Sequence, residues 1–304
     1  MKIKALACSV LMSLLSGAVV SAQESASRSS TRIQDALEQK KFQETGEITD
    51  PQLKAQAGSL SRYSLTASLN YEGPPLGDLS AEDQPNPDGA VGGTETSLSG
   101  SLGARYRLSP VSSVTLTAGL KALHPLHGGM KRMDLSNPTL SYDLAHRVGD
   151  FQLRQVAGVS STTTPALKKV GQVAGLFYSF STIRELGSSR TSAGLTGVVI
   201  VPVYEREYQP TDRRATRYYL AFGPNLTYNF SDRFTLTTNL RLPYWNLRSQ
   251  ENPWAWQNRT ISQRVGLGFG FGRNAYVSPS LSFYPGRLAM DTTTINVSTV
   301  FSGL

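Results

Sequence analysis

The sequence predicts an all-β fold: a transmembrane antiparallel up-and-down β-barrel of about 12 strands, preceded by a short N-terminal extension. Three observations lead to this prediction. Apolar and polar residues alternate over runs of about a dozen residues, the connections between the runs alternate between long and short, and the chain begins like an exported protein. Strands of soluble proteins usually run about 5–6 residues. Runs twice that length indicate strands that face lipid on one side and water on the other.

Residues 1–22 predict a cleaved signal peptide. Lys2 and Lys4 form a basic start, residues 5–19 form an apolar core, and residues 20–22 form a small-residue cleavage site. No later segment holds about 18 consecutive apolar residues, so we expect no transmembrane helix after it. Cys8 is the only cysteine of the sequence and lies in the signal peptide. We therefore expect the exported chain to contain no cysteine and no disulfide.

The charge balance narrows the classes of partner. Without the leader, 28 basic and 22 acidic side chains remain, a net charge of +6. Such an excess suits anionic lipid headgroups or acidic solutes. Export argues against nucleic acid as a partner.

Residues 23–58 are polar and differ from the rest of the chain. They predict a periplasmic extension or a barrel plug, with a short helix over residues 32–42; a disordered leader is the alternative. If these residues form a plug, Ile33 and Leu37 would dock on Val198 and Ile200, the apolar inward residues of the seventh run.

Residues 59–304 form the predicted barrel, with twelve alternating runs. The hairpin at 218–244 shows the pattern best, because both of its strands have one apolar face and one polar face. The fifth run loses phase near Gln155, which suggests a bulge. Pro224 and Pro279 each remove a ladder hydrogen bond, so a strand count different by two stays open. The outward faces begin, in order, at Tyr63, Leu98, Val114, Leu140, Phe151, Ala174, Leu195, Tyr218, Phe234, Ile261, Val277 and Ile295.

The connections between runs alternate in length. Residues 72–94 and 124–138 are long connections, whereas residues 109–112 and 231–233 are short ones. Barrels of bacterial outer membranes have short periplasmic turns and long extracellular loops, and an even strand number places both termini in the periplasm. A soluble secreted β-sandwich or β-helix is the alternative, but it does not explain such long strands or apolar faces without charges.

The chain resembles Gram-negative outer-membrane β-barrel proteins as a general class, over about residues 59–304; no narrower family is indicated. The C-terminal stretch TTINVSTVFSGL is similar to the terminal assembly signal of that class, although three residues follow Phe301 and leave its docking register open. The resemblance implies a location in the outer membrane. It also implies contact with outer-membrane lipids, including lipopolysaccharide, and with the barrel assembly machinery.

Charged residues on the inward faces are the candidate site residues. Asp143 is the only inward carboxylate that we place within a wall strand, and the others are basic. A basic lumen in a low-dielectric wall favours anions. Alternatively, the arginines stabilise the barrel interior by forming ion pairs with loops or with the N-terminal segment. The lumen-facing candidates are Arg62, Arg105, Arg107, Lys121, Asp143, Arg154, Arg241 and Arg264.

The leading functional prediction is a passive channel for small hydrophilic solutes, preferably anions. A closed structural or surface-interaction barrel with a plugged lumen is the alternative, and a lipid hydrolase is a third. The three histidines, His124, His127 and His146, show no serine placed against them, so no catalytic residue is assigned. We expect neither a metal nor a cofactor, and read Trp254 and Trp256 as rim anchors.

Overall fold

A computed structural model of the chain describes residues 47–88, 95–126, 131–187, 190–212 and 215–303. The predicted signal peptide and the predicted helix at 32–42, with Ile33 and Leu37, therefore lie outside the described residues. In the part of the chain that is described, no helix has the length and apolarity needed to span a bilayer.

The described residues form thirteen strands and two short α-helices. Helix α1 is Pro51–Ala57 and helix α2 is Pro165–Lys169. The strands are β1 Tyr63–Pro75, β2 Ser97–Ser109, β3 Ser112–Leu123, β4 Arg132–Val148, β5 Phe151–Ser161, β6 Gln172–Glu185, β7 Thr191–Tyr204, β8 Thr216–Asn229, β9 Phe234–Leu247, β10 Gln257–Asn258, β11 Ser262–Phe271, β12 Ala275–Phe283 and β13 Thr294–Gly303.

Twelve of these strands close into one antiparallel barrel. Each wall strand pairs with its neighbours in the chain, and β1 pairs with β13 to close the ring. The two-residue β10 only continues the pairing at the far end of β9, opposite Tyr244 and Trp245. This is the architecture of an outer-membrane β-barrel, and the predicted number of twelve wall strands is confirmed.

The outer surface of the wall carries the apolar rows that the sequence pattern predicts. Leu102 is 73% exposed and Leu116 is 58% exposed, although both lie in the middle of long strands. Exposed apolar rows of this size would make a soluble protein aggregate, whereas they are favourable in contact with the hydrocarbon of a bilayer. Since every backbone group in hydrocarbon needs a partner within the protein, closure of the ring is what makes such a surface tolerable.

Strand β5 corrects one prediction. Its register with β4 and with β6 runs without interruption from Phe151 to Ser160, so the bulge expected near Gln155 is absent. Gln155 simply lies on the outward face, where its side chain accepts a hydrogen bond from the Tyr178 hydroxyl at 2.9 Å. The apolar pattern breaks because a paired polar side chain replaces an apolar one, while the strand geometry does not change.

Pro224 and Pro279, two of the prolines in wall strands, remove cross-strand partners without ending a strand. The pairing of β8 with β9 is interrupted between Phe222 and Asn225, around Pro224, and resumes in the same register. The pairing of β11 with β12 is interrupted in the same way opposite Pro279. Proline has no N–H to donate, which accounts for both gaps.

A register shift of β4 against β3 at Asn137 and Pro138 is a further difference from the sequence patterns, and strand ends account for others. Strand β4 begins at Arg132 and β1 extends to Pro75, so both strands run into stretches that we predicted as loops. The C-terminal register is also resolved: Phe301 lies opposite Ala67 and Ala275, and β13 continues to Gly303. The extra residues after Phe301 therefore extend the terminal strand.

Candidate functional site

The barrel has two different ends. Five connections are short and lie at one end, which we call the short-turn end; the other six form the long-loop end. Residues 47–59, which we call the lumen segment, contain α1 and lie inside the barrel near the short-turn end. Gln52, Leu53 and Gln56 of this segment line the interior cavity together with wall residues.

The local sequence of the lumen segment explains its short helix. Asp50 is the N-cap, because its Oδ1 accepts a hydrogen bond from the Leu53 N–H at 2.8 Å. Pro51 occupies the first helical position, where its missing N–H costs nothing. Gly58 ends the helix with φ of 69°, in the left-handed region that favours glycine. A side chain at Gly58 would also collide with the Arg105 guanidinium.

One face of the lumen segment packs against apolar wall residues. Ile48, Leu53 and Ala57 form a buried cluster with Ala145 of β4 and Ile183 of β6. Burial of a leucine side chain stabilises by about 1.5–3 kcal/mol, and Leu53 is only 2% exposed. Across the barrel, Gly270 leaves the space that Pro51 occupies, since a Cβ there would lie 2.9 Å from the Pro51 Cβ.

Two arginines of β2 and one arginine of the turn between β11 and β12 bind the carbonyl groups at the end of α1. Arg105 donates to the carbonyls of Ala57 at 2.7 Å and Gln56 at 3.1 Å. Arg107 donates to Ala57 at 2.8 Å and to Ser59 at 2.9 Å, and Arg273 donates to Gly58 at 3.1 Å. The last carbonyls of a helix have no partner within it and carry partial negative charge. We call Arg105, Arg107 and Arg273 the carbonyl clamp.

The beginning of the lumen segment is held by strands β5 and β6. The Gln152 side-chain oxygen accepts hydrogen bonds from the backbone N–H groups of Thr49 and Asp50, at 2.8 and 2.9 Å. The Thr49 hydroxyl donates to Glu185 at 2.9 Å. Burial raises the pKa of the Asp50 carboxyl to about 6, and the negative charge of Glu185 adds to that rise.

An ion pair links the wall to the same segment. Arg154 of β5 donates through its Nε to Asp143 of β4 at 3.0 Å, and Asp143 is 5% exposed. The Nη1 group of Arg154 reaches the Gln56 side chain at 3.1 Å. Four of the eight predicted lumen residues, Arg105, Arg107, Arg154 and Asp143, are thus brought together around α1.

A cavity that we call the large cavity lies beside α1, towards the long-loop end. Its volume is about 560 Å³, and Arg241 of β9 and Arg264 of β11 line it together with Glu72 of β1. Arg264 donates to the Ser282 hydroxyl at 3.0 Å, and Arg241 lies over the Tyr219 ring at 5.5 Å. Most other lining side chains are Ser, Thr, Asn and Gln, so the cavity is polar with an excess of positive charge.

A second cavity of about 280 Å³ lies on another side of α1, along β1 to β5. Hydroxyl side chains such as Thr66, Ser101 and Thr117 line it, together with Arg105 and the Asp143–Arg154 pair. Gln56 borders both cavities. The helix therefore lies between two polar cavities and does not fill the barrel.

Two candidates lie away from these cavities. The Arg62 guanidinium is exposed at the rim, where it donates to the Tyr106 hydroxyl at 2.8 Å and lies over the ring of this outward-facing residue. Arg62 is therefore not a lumen residue, because its position just before β1 lets it turn outwards. Lys121 lies on β3 directly opposite Ser99 and Asp134.

Besides Asp143 and Glu185, which accepts a hydrogen bond from Thr49 inside the barrel, the structure has two further inward carboxylates. Asp134 faces Lys121 across β3 and β4, and residues directly opposite each other share a face of the sheet. Glu72 lines the large cavity. Both lie in stretches predicted as loops, so Asp143 is not the only inward carboxylate of the wall. Continued alternation past Tyr71 would have placed Glu72 inward. Asp134 faces inward because the register of β3 with β4 shifts between Ser136 and Thr139, and alternation alone would have placed it outward.

A loop from the long-loop end covers part of the large cavity. Gln84 and Pro85 line the cavity, and the Gln84 side chain donates to the Gly73 carbonyl at 2.9 Å. The loop is fixed across the barrel because the Asp88 carboxylate accepts hydrogen bonds from the Thr260 hydroxyl at 2.8 Å and N–H at 3.1 Å. The entrance on this side is therefore narrower than the strand ring.

The histidines do not form an accessible catalytic site within the described residues. The His124 Nδ1 atom lies 3.1 Å from the Thr96 hydroxyl, and its Nε2 atom lies 4.0 Å from Glu95. Thr96 is 0% exposed, so no substrate carbonyl can reach this hydroxyl. His146 lies on β4, and His127 lies outside the described residues. No group of three His, Cys, Asp or Glu side chains converges in the described ranges.

The two loop tryptophans differ. Trp254 is 79% exposed, whereas Trp256 packs against Tyr218 in a tilted arrangement with ring centroids 4.8 Å apart. Both lie at the long-loop end of the barrel.

Comparisons with known proteins give likenesses of low similarity. No protein-family model and no curated protein matches the chain. An outer-membrane channel from Pseudomonas putida F1 is 14% identical with a TM-score of 0.49, over 81% of this chain and 97% of that one. The NanC porin is 8% identical with a TM-score of 0.45, over 79% and 98%. Outer-membrane phospholipase A from Escherichia coli is 12% identical with a TM-score of 0.39, over 84% and 96%. These values are too low to transfer an activity.

Proposed function

We propose that this barrel is an outer-membrane channel for small hydrophilic solutes, with a preference for anions. In this proposal the short-turn end faces the periplasm and the long loops face the outside. The observation that carries the proposal is the polar cavity of about 560 Å³ in the lumen, which two arginines line against one glutamate.

The preference for anions follows from the charges in the cavity. Arg241 and Arg264 lie on adjacent strands and are exposed to the interior, and Glu72 offsets one of the two positive charges. The wall around them has a low dielectric constant, which focuses their field along the passage. Rings of arginine and lysine favour anions in other pores for the same reason. Hydroxyl and amide side chains in the lining can replace water around a passing solute.

The test is a planar-bilayer recording of the purified full-length protein in a gradient of potassium chloride. We expect single-channel conductance and a reversal potential that favours chloride. Arg241→Gln together with Arg264→Gln should move the chloride-to-potassium permeability ratio towards unity or below, because Glu72 is then the only charge of the cavity lining that remains.

Arg62→Gln is the matched control for this experiment. It removes the same kind of charge, but from the outer rim, so the permeability ratio should stay at the wild-type value. An absence of conductance from every variant would reject the proposal, and so would an unchanged ratio in the double variant.

A second candidate function is a closed barrel that acts through its long loops. The lumen segment favours this candidate, because the carbonyl clamp and the Gln152 contacts hold it in the passage. The two candidates differ in one measurement. A closed barrel shows no conductance as the full chain and opens only when residues 47–58 are deleted, whereas a channel conducts in both forms.

A further inference from the structure

We propose that the carbonyl clamp is an anion-binding site at the short-turn end, which the lumen segment occupies in the closed state and from which anions displace it. The proposal rests on the channel function proposed above and adds its regulation. It depends on three observations: what the clamp arginines bind, which charges leave with the lumen segment, and how the segment is placed between the two cavities.

The groups that the clamp binds are substitutes for an anion. Arg105 and Arg107 together make four hydrogen bonds to the carbonyls of Gln56, Ala57 and Ser59, at 2.7 to 3.1 Å. A guanidinium is a planar set of donors that matches the oxygens of carboxylate and phosphate. Here two guanidiniums converge on the neutral oxygen of Ala57, where a phosphate or carboxylate oxygen would form stronger, charge-assisted bonds.

Displacement of the segment uncovers the positive charge of the wall. Glu47 pairs with Arg273 at 3.2 Å and with Lys54 of α1 at 3.1 Å, so Glu47 and Lys54 leave together with the segment and Arg273 loses its ionic partner. The wall then keeps Arg105, Arg107, Arg154 and Arg273 against Asp143 and Glu185. The site that remains has an excess of two positive charges at the mouth of the barrel.

The position of the segment makes displacement possible without opening of the wall. The segment contacts the barrel only from inside, and polar cavities of about 560 and 280 Å³ flank it. Solutes in these cavities reach Arg105 directly, since this residue lines the smaller one. The buried apolar cluster of the contact is small, because it holds Ile48, Leu53 and Ala57 against two wall residues, and Pro51 adds only its packing at Gly270.

Two variants distinguish an anion-displaced segment from a plug that binds no anion. Leu53→Asp removes the apolar contact and leaves every clamp arginine in place, so it should raise the open probability and also raise the chloride preference. Arg105→Gln with Arg107→Gln should likewise raise the open probability, because it removes four hydrogen bonds to the segment, but it should lower the chloride preference. An inert plug would leave the open probability of the wild type independent of anions such as phosphate.

The measurement is the open probability and the reversal potential in planar bilayers, with inorganic phosphate titrated on the short-turn side. Phosphate should raise the open probability of the wild type and should not change that of the Arg105→Gln and Arg107→Gln double variant. The heat-modifiable gel shift shows that each barrel is folded. Arg62→Gln should respond to phosphate as the wild type does.

A readout that does not need conductance keeps the inference testable if the barrel never conducts. Trypsin can cut after Lys54 only when the segment leaves the lumen. Phosphate should therefore speed this cleavage severalfold in the wild-type barrel, and cleavage in the double variant should be fast without phosphate. A cleavage rate that does not depend on phosphate, or a double variant that opens no more than the wild type, would overturn the inference.

Discussion

At the scale of single residues, the titration of Asp50 makes the docking of the lumen segment depend on pH. The buried carboxyl has a pKa of about 6, above the ordinary 3.8, mainly because burial penalises its charge. The nearby titratable groups that act on it are Glu185 and Tyr276. The docked segment thus binds the proton more tightly than the released one. Docking is strongest below pH 4, weakens as the pH rises to about 6, and stays constant above it.

The difference of about two pKa units corresponds to about 3 kcal/mol of docking free energy. We predict that the open probability of the wild-type channel rises between pH 4 and pH 6. Asp50→Asn keeps an N-cap side chain and removes the titration, so its open probability should be low and nearly independent of pH in this range. Bilayer recordings at stepped pH check this, and a variant that still titrates like the wild type would contradict it.

The Asp143–Arg154 pair gives a second prediction at this scale. Arg154→Met would leave the Asp143 carboxylate buried without its ionic partner, and loss of one partner of a buried pair costs about 3–5 kcal/mol. The temperature at which the folded gel band converts to the unfolded band should fall. Asp143→Asn together with Arg154→Met should recover most of the loss, because no charge is then left unpaired. A double variant no more stable than Arg154→Met would show that packing dominates.

The same residues show what sequence reasoning can reach. Alternation places Arg105, Arg107, Asp143 and Arg154 on inward faces, but it does not tell which of them meet. The partners of Arg105 and Arg107 are backbone carbonyls about 50 residues away, and carbonyls have no signature in a sequence. Arg154 reaches the Gln56 side chain about 100 residues away. Arg62 was misplaced because it precedes β1, where the alternation no longer fixes the direction of a side chain.

At the scale of elements, the wall strands tolerate defects because their neighbours hold the register. Pro279 still lies opposite Val297 of β13, although the pairing with β11 is interrupted beside it. We predict that Pro279→Val restores one ladder hydrogen bond and stabilises the barrel by about 1 kcal/mol. The conversion temperature in the gel assay should rise. Leu281→Val, on the same outward face and without a proline, is the control and should not raise it.

The short helix shows how local signals can be weighed wrongly. The predicted helix at 32–42 has the better amphipathic pattern, and it lies outside the described residues. Asp50, Pro51 and Gly58 carry a cap, a first-turn proline and a glycine stop within nine residues, which is sufficient for α1. A helix of seven residues is too short for periodicity to detect, so only its end signals reveal it.

At the scale of the whole molecule, the wall could be predicted and the contents of the lumen could not. The wall follows from a pattern of period two repeated twelve times, in which each run supports the same conclusion. The interior depends on contacts between residues distant in sequence, such as Thr49 with Gln152 or Asp88 with Thr260. Such contacts are set by the closed ring, so they become visible only when the ring is built.

The short connection between α1 and β1 limits how far the helix can travel. Five residues separate Ala57 from Tyr63, and a fully extended stretch of this length spans at most about 17 Å. A helix released from the arginines therefore remains tethered to β1 at the mouth of the barrel. Its effective concentration there is about millimolar or higher. Re-closure needs no second molecule, and the barrel returns to rest as soon as the competing anion is diluted.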